Sequence, residues 1–418
     1  MKIGAVDCLL LRLAESAGGV LHTLGNLETE WLRRRLHDVT IESPVFIAGL
    51  ARSGTTILLE ELSKVPGFGT HRYRDFPFVM TPWIWNRFLD RFQTAQPGRE
   101  RPHQDGIRIT PESPEAYEEP IWQHFFPDVH DPRKLHRLTS ARRHRDFDAF
   151  FADHIRKLLL VRRARRYLSK GNYNVARIEY LATLFPDARF IVPIRHPFAH
   201  VRSLMRQHAL FCDYARRDPR VARWLAAAGH YEFGPQRIPI RIESDSGDGI
   251  QAEWDAGHEA AGYARQWAEI YRFVDALRSG PQSLANRILL VRHEDLCAQP
   301  FEVMQRILRH ISIDPGLLET LPLDHIAAPA VETKPRSEEF LTCVWQQTAS
   351  VARRFGYAWT EEASEISVPQ CDIPTGDVSR SENDYFRGFA SGNDSTPAGR
   401  STSGVCLPPD NSCTRCCR

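Results

Sequence analysis

Residues 44–59, Pro-Val-Phe-Ile-Ala-Gly-Leu-Ala-Arg-Ser-Gly-Thr-Thr-Ile-Leu-Leu, decide how the chain reads. An apolar run, a turn of small residues and a second apolar run predict a strand, a tight loop and the start of a helix. Gly49 and Gly54 bracket four residues and Thr55 and Thr56 follow, the spacing of a phosphate loop with one letter changed. Thr55 stands where the lysine of such a loop belongs. Glycines and a helix N-terminus are enough to converge backbone N–H groups on an anion. A nucleoside-triphosphate enzyme also needs the lysine on its outer phosphates and a hydroxyl on magnesium. Here the cation at hand is Arg52, so the expected ligand group carries less charge than a triphosphate. Backbone amides, Ser53, Gly54, Thr55, Thr56 and Arg52 would hold it, and a sulfuryl group on a phosphate meets that description.

Two further segments lie downstream. Residues 184–206 run Leu-Phe-Pro-Asp-Ala-Arg-Phe-Ile-Val-Pro-Ile-Arg-His-Pro-Phe-Ala-His-Val-Arg-Ser-Leu-Met-Arg, which places Arg195 at a strand end and Ser203 in the helix that follows. Ahead of them stands Lys170-Gly171-Asn172. Together with Gly-Leu-Ala-Arg-Ser-Gly-Thr-Thr, these segments resemble the sulfotransferases that use 3′-phosphoadenosine 5′-phosphosulfate. The resemblance covers most of residues 44–357, where His293-Glu294-Asp295-Leu296 is similar to the family's Tyr-Glu-Asp-Leu.

The resemblance implies an α/β fold of three layers, of the P-loop type, with a central, mainly parallel sheet flanked by helices. It also implies in-line transfer of the sulfuryl group from that donor, a co-substrate, to a hydroxyl or amine, with no metal required. Arg52 and Lys170 are then expected to hold the bridging oxygen as charge builds on it, and Arg195 and Ser203 the donor's 3′-phosphate. Lys334, in Lys334-Pro335-Arg336, matches a basic loop that closes over that phosphate. Some members carry a catalytic histidine two residues after the lysine; Asn172 stands there and cannot serve. The base is expected near Tyr73, from Asp75 or from His71. An ATP-dependent small-molecule kinase on the same fold, or a non-catalytic nucleotide-binding scaffold, is the alternative.

Composition sets the frame around these motifs. A chain of 418 residues with 42% hydrophobic and 25% charged residues reads as a globular protein with a sizeable core. A net charge of only +2 offers nothing global for nucleic acid, so any anion site is local. Nine cysteines in an odd, irregular set make a poor disulfide framework and point to a reducing compartment. The apolar Cys8-Leu9-Leu10-Leu11 is interrupted by Asp7 and Arg12, which argues against a signal peptide or a transmembrane segment. A soluble, cytoplasmic enzyme is the expectation.

Residues 1–40 read as a helical extension, with Leu24, Leu27, Trp31 and Leu36 as its apolar face packed beside the first strand. Residues 41–360 form the catalytic domain, with an acceptor-side insertion at about 213–262 and one long helix from Trp254 to Leu277. Residues 366–418, rich in Ser, Gly, Asp, Pro and Thr, read as a disordered tail. The aromatics at 82–92 and the insertion suggest a small-molecule, carbohydrate or lipid-linked acceptor.

Overall fold

Val45–Ala48 forms a strand (β1) buried at every position. The computed structural model describes residues 18–91, 98–104, 106–243, 246–321, 323, 326 and 337–359. Phe46 and Ala48 enter one apolar cluster, Val45 and Ile47 another. This two-residue alternation, apolar on both faces, is what a central strand of a parallel sheet requires. Phe68–Gly69 (β2), Arg166–Gly171 (β3), Arg189–Ile194 (β4) and Ile288–Arg292 (β5) complete the sheet in the order β2–β3–β1–β4–β5. Each of these pairings is parallel, with Val45 opposite Leu168 on one side and Arg189 on the other.

The main helices in chain order are Gly18–Leu36 (α1), Thr55–Lys64 (α2), Pro82–Leu89 (α3), Glu119–Phe125 (α4), Arg145–Arg162 (α5) and Ile178–Leu184 (α6). Pro197–Arg217 (α7), Arg220–Ala227 (α8), Ser246–Asp255 (α9), Glu259–Ser279 (α10), His293–Ala298 (α11), Pro300–His310 (α12) and Glu338–Ala352 (α13) follow. Leu58 and Leu62 of α2 and Met304 and Ile307 of α12 cover one face of the sheet. Phe151 of α5, Leu181 of α6, Val201 of α7 and Tyr271 of α10 belong to the cluster on the other. The three-layer α/β arrangement read from the sequence is therefore the observed one.

The order of the strands locates the site. After β1 the chain crosses to β2 at one edge and returns to β3, whereas after β4 it crosses to β5 at the other. The connections diverge between β1 and β4, and in parallel sheets the crevice beyond the strand ends at such a point is where ligands bind. The Gly49–Gly54 turn follows β1 and Arg195 follows β4.

Two expectations are corrected. The helix foreseen from Trp254 to Leu277 is two helices, α9 and α10. Gly257 breaks them with φ of 80°, and the chain folds back so closely that a Cβ on Gly262 would come within 2.3 Å of the Trp254 ring. In α1 the buried residues are Leu21, Gly25, Glu28, Leu32 and Leu36, while Trp31 is 66% exposed. The reason is a buried ion pair: Glu28 meets Lys157 of α5 at 3.1 Å with both side chains fully enclosed. The Lys157 ammonium also donates to the carbonyls of Gly25 and Met80, at 2.9 and 3.3 Å. The helix thus packs on α5 and α3 rather than beside β1.

Breaking that pair leaves an uncompensated buried charge, which costs about 3–5 kcal/mol, whereas replacing both partners by apolar groups is often nearly neutral. Glu28→Ala is expected to lower the unfolding free energy by that amount in urea titrations, and the double variant Glu28→Leu/Lys157→Met to recover most of it. An unchanged midpoint for Glu28→Ala would remove this account of how α1 is held.

Candidate active site

The turn after β1 is shaped by backbone conformations that side chains resist. Arg52 adopts φ of 71° and Gly54 φ of 104°, and a non-glycine residue in the left-handed region costs about 1–2 kcal/mol. Gly54 has a second constraint, because a Cβ there would lie 2.8 Å from Nδ1 of His293. Ser53 is buried and its hydroxyl donates to the Leu50 carbonyl at 2.7 Å, which closes the turn. His200 bonds the Ala51 carbonyl through Nε2 at 2.8 Å. Since a carbonyl only accepts, that nitrogen carries the proton. Burial lowers the His200 pKa to about 3, so the ring is neutral.

Helix α2 starts at Gly54 without a side-chain cap and without an acidic residue in its first turn. Its leading N–H groups and dipole therefore favour an anion. Thr55 is buried at the helix start, and Thr56 accepts a bond from Arg101 Nη1 at 3.4 Å.

Arg52 and Arg195 converge on this turn. Arg52 Nε donates to the Ser203 hydroxyl at 3.1 Å, and Arg195 Nη1 reaches the Arg52 carbonyl at 3.4 Å. The end of β4 is fixed from the opposite side: Trp267 Nε1 donates to the Arg195 carbonyl at 3.1 Å and the Tyr271 hydroxyl to the Pro193 carbonyl at 2.9 Å. Burial, with the Arg52 guanidinium next in weight, lowers the Arg195 pKa to about 10. Burial and then Arg195, His200 and Arg52 hold the His293 imidazole down to about 3. A bound dianion would relieve this crowding of positive charge.

Lys170 is the last residue but one of β3, the strand beside β1. It is 6% exposed and lies 3.4 Å from Glu115. Glu115 also accepts from the Tyr73 hydroxyl at 2.5 Å and from the Ala116 amide at 2.8 Å. Burial alone would raise the Glu115 carboxyl, but Lys170 and Arg101 together with these bonds hold it at about 2. Glu60 of α2 shares this field, and burial pushes its carboxyl up to about 7 against the pull of Arg101. Two neighbouring carboxyl groups thus differ widely in basicity. Asn172 donates to Glu232, which lies 3.4 Å from His230. Burial would lower the His230 pKa, but Glu232 raises it above the ordinary value.

Residues 44–239 match a family model described as the sulfotransferase family. These residues are a sulfotransferase domain. Among solved structures, the chain is similar to sulfotransferase STF9 of Mycobacterium avium, with 16% identity over 79% of this chain and 82% of that one at a TM-score of 0.45. It is likewise similar to sulfotransferase STF1 of Mycobacterium tuberculosis H37Rv, with 17% identity over 77% and 84% at a TM-score of 0.41. A sulfotransferase of Alicyclobacillus acidocaldarius shares 14% over 77% and 98% at a TM-score of 0.35. No curated protein matches the chain.

Within the sulfotransferase domain the loop residues Arg52, Ser53, Gly54, Thr55 and Thr56 come together with Arg195 and Ser203, and Lys170 stands with Glu115. Asp75 and His71, the residues from which the sequence leads one to expect the base, lie together in a buried ionic cluster. Asp75 is fully buried and both of its oxygens accept from Nη2 of Arg162 at 2.6 Å, besides bonds from Asn86 and the Arg72 amide. His71 lies 3.4 Å from Asp75 and 3.0 Å from His154. Although burial raises it, His71 and Arg162 hold the Asp75 carboxyl well below the usual carboxylate range. Asp75 thus ties α5 to α3 through Arg162 and Asn86. Tyr73, between His71 and Asp75, is the residue that turns to the site, through Glu115. Lys334 lies outside the described residues. Glu115, Arg101 and Glu60 were not singled out by the sequence as site residues. The available signal for Glu115 was its place in the polar Glu112-Ser113-Pro114-Glu115 segment.

No helix among the described residues is long and apolar enough to cross a membrane. No group of three or more His, Cys, Asp or Glu side chains among them is placed to hold a metal ion.

Proposed function

We propose that this sulfotransferase transfers the sulfuryl group of 3′-phosphoadenosine 5′-phosphosulfate to a hydroxyl group of a small-molecule, carbohydrate or lipid-linked acceptor. The observation that carries the reading is the convergence of Arg52, Arg195 and Ser203 on a phosphate loop that has Thr55 in place of lysine. The loop amides and hydroxyls hold the 5′-phosphosulfate, and Arg195 and Ser203 take the 3′-phosphate. The acceptor oxygen attacks sulfur, a new S–O bond forms, and the bond from sulfur to the bridging oxygen breaks with its electrons left on the 5′-phosphate. Lys170 and Arg52 stabilise the charge on that oxygen.

Glu115 takes the acceptor's proton. Its basicity is low while Lys170 faces it, and rises as the ammonium turns to the leaving oxygen. This assignment replaces Asp75 and His71 as the base.

Thermal unfolding with nucleotides tests the donor. Adenosine 3′,5′-bisphosphate at about 100 times its Kd is expected to stabilise the protein by about 2.7 kcal/mol, while ATP with magnesium leaves the midpoint unchanged. The reverse ranking would indicate a kinase.

A further inference from the structure

Among the described residues, most of the exposed large apolar side chains gather on two neighbouring helices. Val20, Leu24, Leu27 and Trp31 of α1 are 60, 42, 60 and 66% exposed, and Ile84 and Phe88 of α3 are 44 and 48% exposed. The α1 positions recur at intervals of four, three and four, so they form one stripe beside the buried one. Trp31 stands edge-on to Trp83 with ring centroids 4.9 Å apart, which joins the two helices into a single apolar face.

The rim of this face is basic. Arg33, Arg34 and Arg35 fill the last turn of α1, and Arg87 and Arg91 are exposed at the end of α3. The guanidinium groups of Arg35 and Arg87 lie 5.8 and 5.2 Å from the Trp83 ring. Glu30 is paired with Arg33 and Asp90 with Arg74, while Asp38 follows the end of α1 beside His37.

We propose that this face docks the protein on an anionic lipid bilayer. Apolar and tryptophan side chains flanked by arginines are what a surface-lying helix presents to the boundary of headgroups and acyl chains. A bilayer supplies both the apolar depth for Leu27 and Trp31 and the negative charge for the arginine rim. A second copy of the chain fits the charges less well. Side-by-side parallel packing would oppose the arginine clusters. Antiparallel packing would set them against a helix N-terminus that has no acidic residue in its first turn. Contacts run from this face towards Tyr73: Trp85 and Phe88 stack on α3 with centroids 5.7 Å apart, and Trp85 Nε1 donates to the carbonyl of Arg74, next to Tyr73. Docking stands whatever the acceptor is.

The test is flotation of the full chain with vesicles of phosphatidylcholine alone and of phosphatidylcholine mixed with phosphatidylserine, beside light scattering for the oligomeric state. The protein is expected to float with the mixed vesicles, at least about tenfold more than with the neutral ones, and to be released by salt. Each of Arg33→Glu, Arg34→Glu and Arg87→Glu should weaken binding about fivefold or more. Leu27→Glu and Trp31→Glu should abolish it while the unfolding midpoint stays in place. Three results would overturn the proposal: no flotation with the mixed vesicles, equal binding to both kinds, or a dimer that Trp31→Glu converts to monomer.

Discussion

Lys170→Ala is expected to lower the turnover number for sulfuryl transfer about 10²–10³-fold, the usual loss when one preorganised group facing a developing oxyanion is removed. The donor's KM should change much less, because the phosphates are held by the loop and by Arg195. A second readout separates this role from a structural one. Lys170 is the chief charge holding the Glu115 carboxyl at about 2, below its ordinary value. A depressed carboxylate contributes stability that is present above its unfolded pKa and lost as pH falls through the folded one. The wild type should therefore lose stability between roughly pH 4.5 and 2, and the Lys170→Ala variant should lose less across that window. If the pH dependence flattens while turnover is unchanged, Lys170 is a structural partner of Glu115 and not part of the transfer.

Glu115→Gln is expected to lower turnover about 10²–10⁴-fold, the range typical of a lost general base. The amide keeps the size of the side chain and can still accept from Tyr73, so the unfolding midpoint should move little beyond the loss of the ion pair. Asp75→Asn offers the contrast. It strips charge from a buried pair with Arg162 and should cost stability without a matching loss of turnover in the protein that remains folded. If Glu115→Gln turns over normally and a stable Asp75 variant does not, the base has been misassigned.

The sheet and the donor loop were legible because their signals are local. Gly49, Gly54 and the apolar run before them state a strand and a turn within a dozen or so residues, and Arg195 is announced by the strand it ends. The acid and base groups were not legible for a matching reason. Asp75 is neutralised by Arg162, 87 positions later, and Lys170 meets Glu115 across 55 positions, so neither partnership leaves a periodic trace. Trp31 was misread because α1 carries two apolar stripes side by side. Spacing alone favours the wholly apolar one, Val20, Leu24, Leu27 and Trp31. The buried one contains Gly25 and Glu28, residues that appear apolar-facing only once Lys157 and the close approach of Met80 are known.

All of the chemistry rests on where the donor lies, and a crystal structure with adenosine 3′,5′-bisphosphate measures that directly. The 5′-phosphate is expected against the amides of Gly54, Thr55 and Thr56, and the 3′-phosphate within hydrogen-bond distance of Arg195 and Ser203, with Lys170 turned from Glu115 towards the 5′ end. A nucleotide bound elsewhere, or bound here with its 3′-phosphate away from Arg195, would contradict the account.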